Sequence, residues 1–419
     1  MRNPVSSICQ ALVVTTVLLV SGAVNAWDAD TAITLAIERD EGLRALQQRQ
    51  AALNERAVAD GALPDPEVMI GVEGVPVSDP FDADMMTMYK VGVRQRFPSG
   101  QTRELSQERT GQQAAVIDAE MQARRLDITR QTRAAWLDWS SAWEELELAR
   151  EAAMAFEELD EITRARYRAG TGRQRDVDQA QLELAVLQRR ILVKRTRVEE
   201  AATRLARWTG QRPGSAPKGS VDFQASPQAA ERLRSLLLNH PALLVSDRQV
   251  DVGITDTRLA RQAYRPSWMV EAGYAHTRGL NPMTMSRQSD KLFAMVSFSI
   301  PLFTANRQDR RLAATRSELQ AVNHDRGLEL QRLRGELDRQ HSLWHSQNEQ
   351  LEWMQSRVLA SAEATVESTL SAYRADRATF DELVRARLAL LDQQLQLISI
   401  RQARAAAAVE LAWLTAEKL

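Results

Sequence analysis

The chain has 419 residues, a formal net charge of −1, and 54 basic against 55 acidic side chains, a balance that excludes a general nucleic-acid-binding surface. Charged residues make up 26% and aromatics only 5%, which suits long helices with a narrow apolar stripe better than a thick globular core.

Residues 1–26 read as an export signal. Arg2 gives the positive start, and residues 11–20 form an apolar run too short to span a bilayer. Val24-Asn25-Ala26 offers small residues for cleavage ahead of Trp27. An uncleaved anchor is the alternative. The single cysteine, Cys9, precedes the apolar run and is not placed as a lipoprotein cysteine, so the mature chain is expected to carry no thiol. No later segment is apolar enough to cross a membrane as a helix.

A first unit is expected over 27–210. A helix over 31–62 stops at Leu63-Pro64-Asp65-Pro66. Residues 67–75 alternate, with Val68, Ile70 and Val72 opposite Glu67, Met69, Gly71 and Glu73. Residues 89–97 do the same, with Tyr89, Val91, Val93 and Phe97 opposite Lys90, Gly92, Arg94 and Arg96. The loop between them is rich in Pro, Ser, Asp and Met, and a helical hairpin follows over 99–210. Residues 211–227, with Pro213, Gly214, Pro217 and Gly219, form a linker. A second unit, 228–419, repeats the order: a helix over 228–263 interrupted at Asn239-His240-Pro241, strands over 267–276 and 291–300, and a hairpin over 302–416.

The hairpins rest on two proline-free stretches, 99–212 and 302–419. Leu330, Leu337, Trp344, Leu351 and Val358 recur at heptad spacing, flanked by Leu333 and Met354. Trp136 and Trp143 lie on one such row, and Trp139, Leu146 and Ala153 on the next. Tyr167-Arg-Ala-Gly-Thr and Tyr373-Arg-Ala-Asp-Arg break the stretches at matching places. An outgoing arm of roughly 65 residues is about 100 Å long, far more than a compact domain needs.

Four strands of this length match tilted bilayer crossings. Only a closed barrel satisfies strand edges in lipid, and such barrels start at about eight strands, so one chain must borrow strands from copies of itself. Polar faces carrying Glu67, Glu73, Lys90, Arg94, Arg96 and Glu271 would line water, and the apolar faces would meet lipid. A soluble four-stranded sheet packed on helices is the simpler alternative.

The mature chain resembles the TolC family of outer-membrane efflux proteins. The residues that carry the resemblance are Tyr167-Arg-Ala-Gly170-Thr with Asp176 and Ala180, and Tyr373-Arg-Ala-Asp376-Arg with Glu382 and Ala386. Leu205-Ala-Arg-Trp-Thr-Gly210 and the Leu-Pro and Arg-Pro pairs ahead of the strands agree with it. Leu63-Pro-Asp-Pro-Glu-Val and the absent lipid cysteine look closest to the heavy-metal efflux branch.

The resemblance implies a mainly α fold with a membrane β portion. Three chains would form a homotrimer with a twelve-stranded outer-membrane barrel, continued by a long periplasmic α-helical barrel. It implies docking to a periplasmic adaptor and, through it, to an inner-membrane resistance-nodulation-division pump. The periplasmic mouth then falls on Tyr167, Arg168, Ala169, Gly170, Thr171, Tyr373, Arg374, Ala375 and Asp376. Asp376 stands where glycine is expected, so the second turn is expected to differ in shape.

Asp176, Asp178, Asp381 and Glu382 are candidates for an acidic constriction that attracts cations. First-turn helix acids that complement the dipole, with Thr379 and Glu382 as a capping box, are the other reading. Asp338, His341 and His345 share a helical face and are a weak metal candidate set, more simply a solvated face. Met85, Met86, Met88, Met283 and Met285 in the external loops read as flexible apolar tips rather than a Cu(I) site. Ala169-Gly-Thr-Gly follows a helix and lacks the Gly-Lys ending of a phosphate loop. No catalytic constellation or cofactor is expected. An efflux exit duct leads; an exit channel for type I protein secretion, and a soluble periplasmic coiled-coil scaffold or adaptor, are the alternatives.

Overall fold

In the computed structural model the described residues are 27–75, 77, 86–218, 230–278 and 283–417; the export-signal reading, Cys9 and Met85 fall outside them. The chain opens with α1 (Ala29–Arg39) and α2 (Glu41–Gly61), where sequence reasoning expects one helix. Asp40 causes the break. Its carboxylate accepts from the Leu43 N–H at 2.7 Å to cap α2, and is gripped by Arg124 at 2.8 Å.

Strands β1 (Glu67–Glu73) and β2 (Met88–Phe97) follow, then the hairpin of α3 (Thr102–Arg168) and α4 (Gln174–Thr209). The second unit supplies α5 (Ala230–Leu237), α6 (Pro241–Gln262), β3 (Ser267–Thr277) and β4 (Lys291–Ser299). Its hairpin consists of α7 (Gln308–Trp353), a π-helical turn (Met354–Leu359), α8 (Ala360–Arg374) and α9 (Phe380–Thr415). The duplication is close to exact in length. α7, the π turn and α8, at 46, 6 and 15 residues, match the 67 of α3, and both return helices have 36. The π turn is an irregularity that the heptad pattern does not betray.

α3 and the α7–α8 arm are the full-length staves. Toward the sheet they sit in the order α2, α3, α6, α7; away from it α4 packs on α3, while α9 packs on α3, α7 and α8. Arg109–Asp256 at 2.5 Å and Arg258–Glu108 at 2.6 Å tie α3 to α6. Arg130–Glu410 at 3.1 Å and Arg401–Glu144 at 3.0 Å tie α3 to α9.

The core follows these contacts as a chain of small apolar clusters along the rod. Trp136, Trp139 and Leu146 pack with Leu205 and Val409; Leu333, Leu337 and Trp344 pack with Leu237 and Leu414. Most residues of the rows read from the sequence are buried, with Trp143, Leu330 and Val358 partly so, as a narrow-stripe helix requires.

Candidate functional site

The four strands form one antiparallel sheet in the order β1-β2-β3-β4. Residues paired directly across strands share a face. Val68, Val93, Ala272 and Ala294 make one row, Ile70, Val91, Tyr274 and Leu292 the next, and Phe97, Trp268 and Phe298 a third. Every row is apolar and stands open: Ile70 is 85% and Leu292 86% exposed in the single chain. The opposite face carries Glu67, Arg94 and Glu271 in one row and Gly71, Lys90, Ala275 and Lys291 in another. Arg94 reaches Glu271 at 3.2 Å and Glu67 at 3.5 Å, Arg96 reaches Glu67 at 3.6 Å, and Lys90 pairs with Glu73.

Such a two-faced sheet suits a boundary between lipid and water. Its outer strands, β1 and β4, each leave one edge without a partner strand. Among the described residues no helix is long and apolar enough to cross a membrane.

A close approach fixes the centre of the polar face. Gly92 and Gly273 lie opposite each other beneath the Phe293 ring. A Cβ at Gly273 would come within 2.3 Å of the Val91 carbonyl oxygen and 2.6 Å of the ring. The ring covers what glycine leaves bare, with the Lys90 ammonium 5.4 Å from its centroid.

At the far end of the rod, the two hairpin turns adopt the same conformation. Gly170 has φ 74 and Asp376 φ 56, both left-handed. Gly170 N–H donates to the Tyr167 carbonyl at 3.0 Å and Asp376 N–H to that of Tyr373 at 3.1 Å. The expectation that aspartate gives the second turn another shape is therefore corrected. Aspartate tolerates this region better than most side chains, and here its carboxylate also pairs with Arg166 of the first hairpin.

Arg166 is the clasp between the hairpins. It donates to the Tyr373 carbonyl at 3.3 Å, lies 5.0 Å from the centroid of the Tyr373 ring, and ion-pairs with Asp376, whose hydrogen bond raises the guanidinium pKa further.

Tyr373 is a second correction. Expected beside Tyr167 among the surface contacts of a mouth, it is only 7% exposed, against 48% for Tyr167. It packs near Phe380, with ring centroids 5.9 Å apart, in a cluster that includes Phe156, Leu187 and Leu383. Its hydroxyl pKa is raised chiefly by that burial. Arg168, Ala169, Gly170, Thr171, Arg374, Ala375 and Asp376 are all exposed at the tips.

The four acids lie just behind the tips: Asp176, Asp381 and Glu382 in the first turns of α4 and α9, and Asp178 one step further into α4. Glu382 caps α9: its carboxylate accepts from Thr379 N–H at 2.7 Å and from the Thr379 hydroxyl at 3.0 Å, which hold the carboxyl below its usual range, while Thr379 Oγ1 accepts from the Glu382 N–H at 3.3 Å. Asp381 accepts from Gln179 of α4 at 3.1 Å, which joins the two helices, and also pairs with Arg385 of its own helix; both contacts lower its pKa. Asp178 accepts from Gln174 at 2.8 Å. Asp176, half-buried, adds its field to Arg166.

Of the three residues weighed for metal, two converge. His341 and His345 bring their Nε2 atoms to 3.2 Å, while Asp338 turns to Arg234 of α5 at 2.9 Å. Among the described residues no group of three or more His, Cys, Asp or Glu is arranged to hold a metal ion.

These features can be set beside known proteins. The family profile described as outer membrane efflux protein matches residues 32–211 and again 233–417, one match per repeat. The chain belongs to this family. It is a family of efflux channels, known also as the TolC family, and no curated protein matches the chain in sequence.

Solved structures agree on the fold. The Vibrio cholerae outer membrane protein VceC has a TM-score of 0.74 at 16% identity, over 93% of this chain and 96% of its own. CusC, whose structures concern folding and transmembrane channel formation, has a TM-score of 0.75 at 17% identity, covering 93% and 92%. The open state of the Neisseria gonorrhoeae outer membrane channel MtrE has a TM-score of 0.74 at 15% identity, covering 93% and 89%. The efflux family thus accounts for both ends of the rod: a membrane sheet at one and an exposed pair of turns at the other.

Proposed function

We propose that this efflux-family chain is the exit duct of a tripartite efflux system. The observation that carries the reading is the sheet, with one face mainly apolar, the charged rows on the other, and both edges open. Such a sheet is not stable alone in lipid, and four strands are too few to close. Three chains would supply about twelve strands, a barrel in the range that encloses a water-filled lumen. The charged face would then line that lumen and the helical staves would continue it into the periplasm.

The energy for transport would be supplied elsewhere. The exposed turns, Tyr167 to Thr171 and Arg374 to Asp376, are the surface offered to a periplasmic adaptor, and an inner-membrane pump of the resistance-nodulation-division type would drive transport. Asp176 and Asp381, repeated three-fold around a narrow mouth, would favour cations. Metal cations or small toxic compounds are the proposed cargo. The capping role of Glu382 supports its place in holding the turn rather than in meeting the cargo.

The test is direct. The protein extracted from outer membranes should cross-link to a trimer and give discrete conductance steps in a planar bilayer, and cysteines placed at Arg168 or Arg374 should cross-link to the adaptor. A water-soluble monomer that conducts nothing would end the duct reading and favour a periplasmic scaffold.

A further inference from the structure

We propose that His341 and His345 form a chelating site for a borderline divalent transition-metal cation, of the Cu2+ or Zn2+ kind, on α7. The pair sits one turn beyond the Arg234–Asp338 bridge that ties α5 to α7.

Two histidines four residues apart share a helical face whatever they do. What distinguishes this pair is that the same atoms meet: Nε2 faces Nε2 at 3.2 Å, with ring centroids 4.5 Å apart. A cation bound by imidazole at about 2.0–2.1 Å per bond spans roughly 2.9 Å between cis ligands at a right angle and roughly 3.3 Å at the tetrahedral angle. The observed 3.2 Å falls between them. The two nitrogens, which now share a hydrogen bond, already stand at the separation a chelated cation requires, and binding would turn the rings so that both lone pairs meet on it.

The surroundings favour this use. Asp338, the nearby acid on the same face, is engaged by Arg234, so it does not draw either imidazole into a salt bridge. His345 is exposed and His341 half-buried, which leaves water room to complete the coordination shell. The Trp344 ring lies edge-on to His345, with centroids 5.2 Å apart, and anchors that stretch of α7 in the core. Imidazole ligands and the stability order of divalent ions place Cu2+ first and Zn2+ or Ni2+ after it, with Mg2+ and Ca2+ excluded for want of oxygen ligands. The site is independent of the duct reading, because binding is measured on the isolated protein and not through transport.

The experiment is Cu2+ titration of the full-length, untagged protein in detergent, followed by electron paramagnetic resonance and tryptophan fluorescence. Wild type should saturate at one Cu2+ per chain, with nitrogen coupling in the spectrum and quenching of Trp344 that is lost in Trp344→Phe. His341→Ala and His345→Ala each remove one ligand from helix positions where alanine is well accepted, and each should weaken binding at least about tenfold. Zn2+ should compete for the same site, displacing the copper only in large excess, in keeping with its lower rank. Two results would overturn the site: an unchanged isotherm in the His341→Gln/His345→Gln double variant, or no saturation of wild type below about 1 mM Cu2+.

Discussion

His240 makes the joint between α5 and α6 sensitive to acid. It is the N-cap of α6, its Nδ1 accepting from Ala242 N–H at 3.1 Å, and it is 1% exposed beneath Trp413, ring centroids 4.8 Å apart. Burial is the main cause that pushes its pKa down from 6.5 to about 4, with Glu329 opposing and Arg332 assisting. Above pH 6.5 the ring is neutral whether the joint is closed or open, so it contributes no pH dependence there. Below 6.5 the opened state takes up a proton that the closed state refuses until about pH 4. Stability of the joint therefore falls across that window and levels off beneath it. The full gap corresponds to roughly 3–4 kcal/mol per chain, or about a 300-fold rise in the opening equilibrium. Hydrogen–deuterium exchange of peptides from 230–262, corrected for intrinsic rates, should show the opening grow as pH falls from 6.5 toward 4. His240→Asn keeps an acceptor at the cap but does not titrate, and its peptides should lack that slope. Equal slopes in wild type and variant would refute the assignment.

Ile70→Arg puts a charge on the apolar face and should cost about 2–4 kcal/mol if that face meets lipid near the bilayer centre. The trimer recovered from outer membranes should fall accordingly, and unchanged recovery would count against the lipid face. Gly273→Ala forces a Cβ onto the Val91 carbonyl oxygen and the Phe293 ring, at about 1–3 kcal/mol, whereas Gly71→Ala meets open space; folded barrel should drop for the first only. Arg166→Ala removes the clasp on Tyr373 and Asp376 and should raise single-channel conductance. Asp376→Asn keeps a side chain that tolerates the left-handed turn while removing the ion pair, so it should share that rise; a rise confined to Arg166→Ala would show that the Tyr373 contacts, not the ion pair, hold the mouth.

The parts that were legible in the sequence are those fixed by periodicity and by breakers. Pro64, Pro66, Pro98 and Pro301 bound the strands, and alternation in 89–97 and 267–276, interrupted on the apolar face only by Gln95 and His276, put each side chain on the face it occupies. The heptad row through Leu337, Trp344 and Leu351 is buried because such a stripe has no other way to leave water. The break at Asp40 was half hidden: its cap on the Leu43 N–H is a local signal, but Arg124, which holds that carboxylate in place, lies 84 residues away. The π turn was hidden for a related reason: six residues of Met, Gln, Ser, Arg, Val and Leu carry no local signal for a wider turn.

Tyr167 and Tyr373 show where a repeat stops informing. The motifs are near-identical in spelling and their backbones coincide at the turn, yet one tyrosine is open and the other buried. What separates them is the neighbour each hairpin meets, not the residues of the turn. Arg166, just before Tyr167, crosses to the second hairpin and lies against the ring of Tyr373; its counterpart by position, Ala372, can make no such reach. A side chain present in one copy and missing from the other turns two equal halves into a clasp and the surface it closes on. The first hairpin thus keeps its tyrosine free at the tip while the second gives its own to the core. Asp376 completes the difference, since the side chain that replaces glycine there is the one that pairs with Arg166.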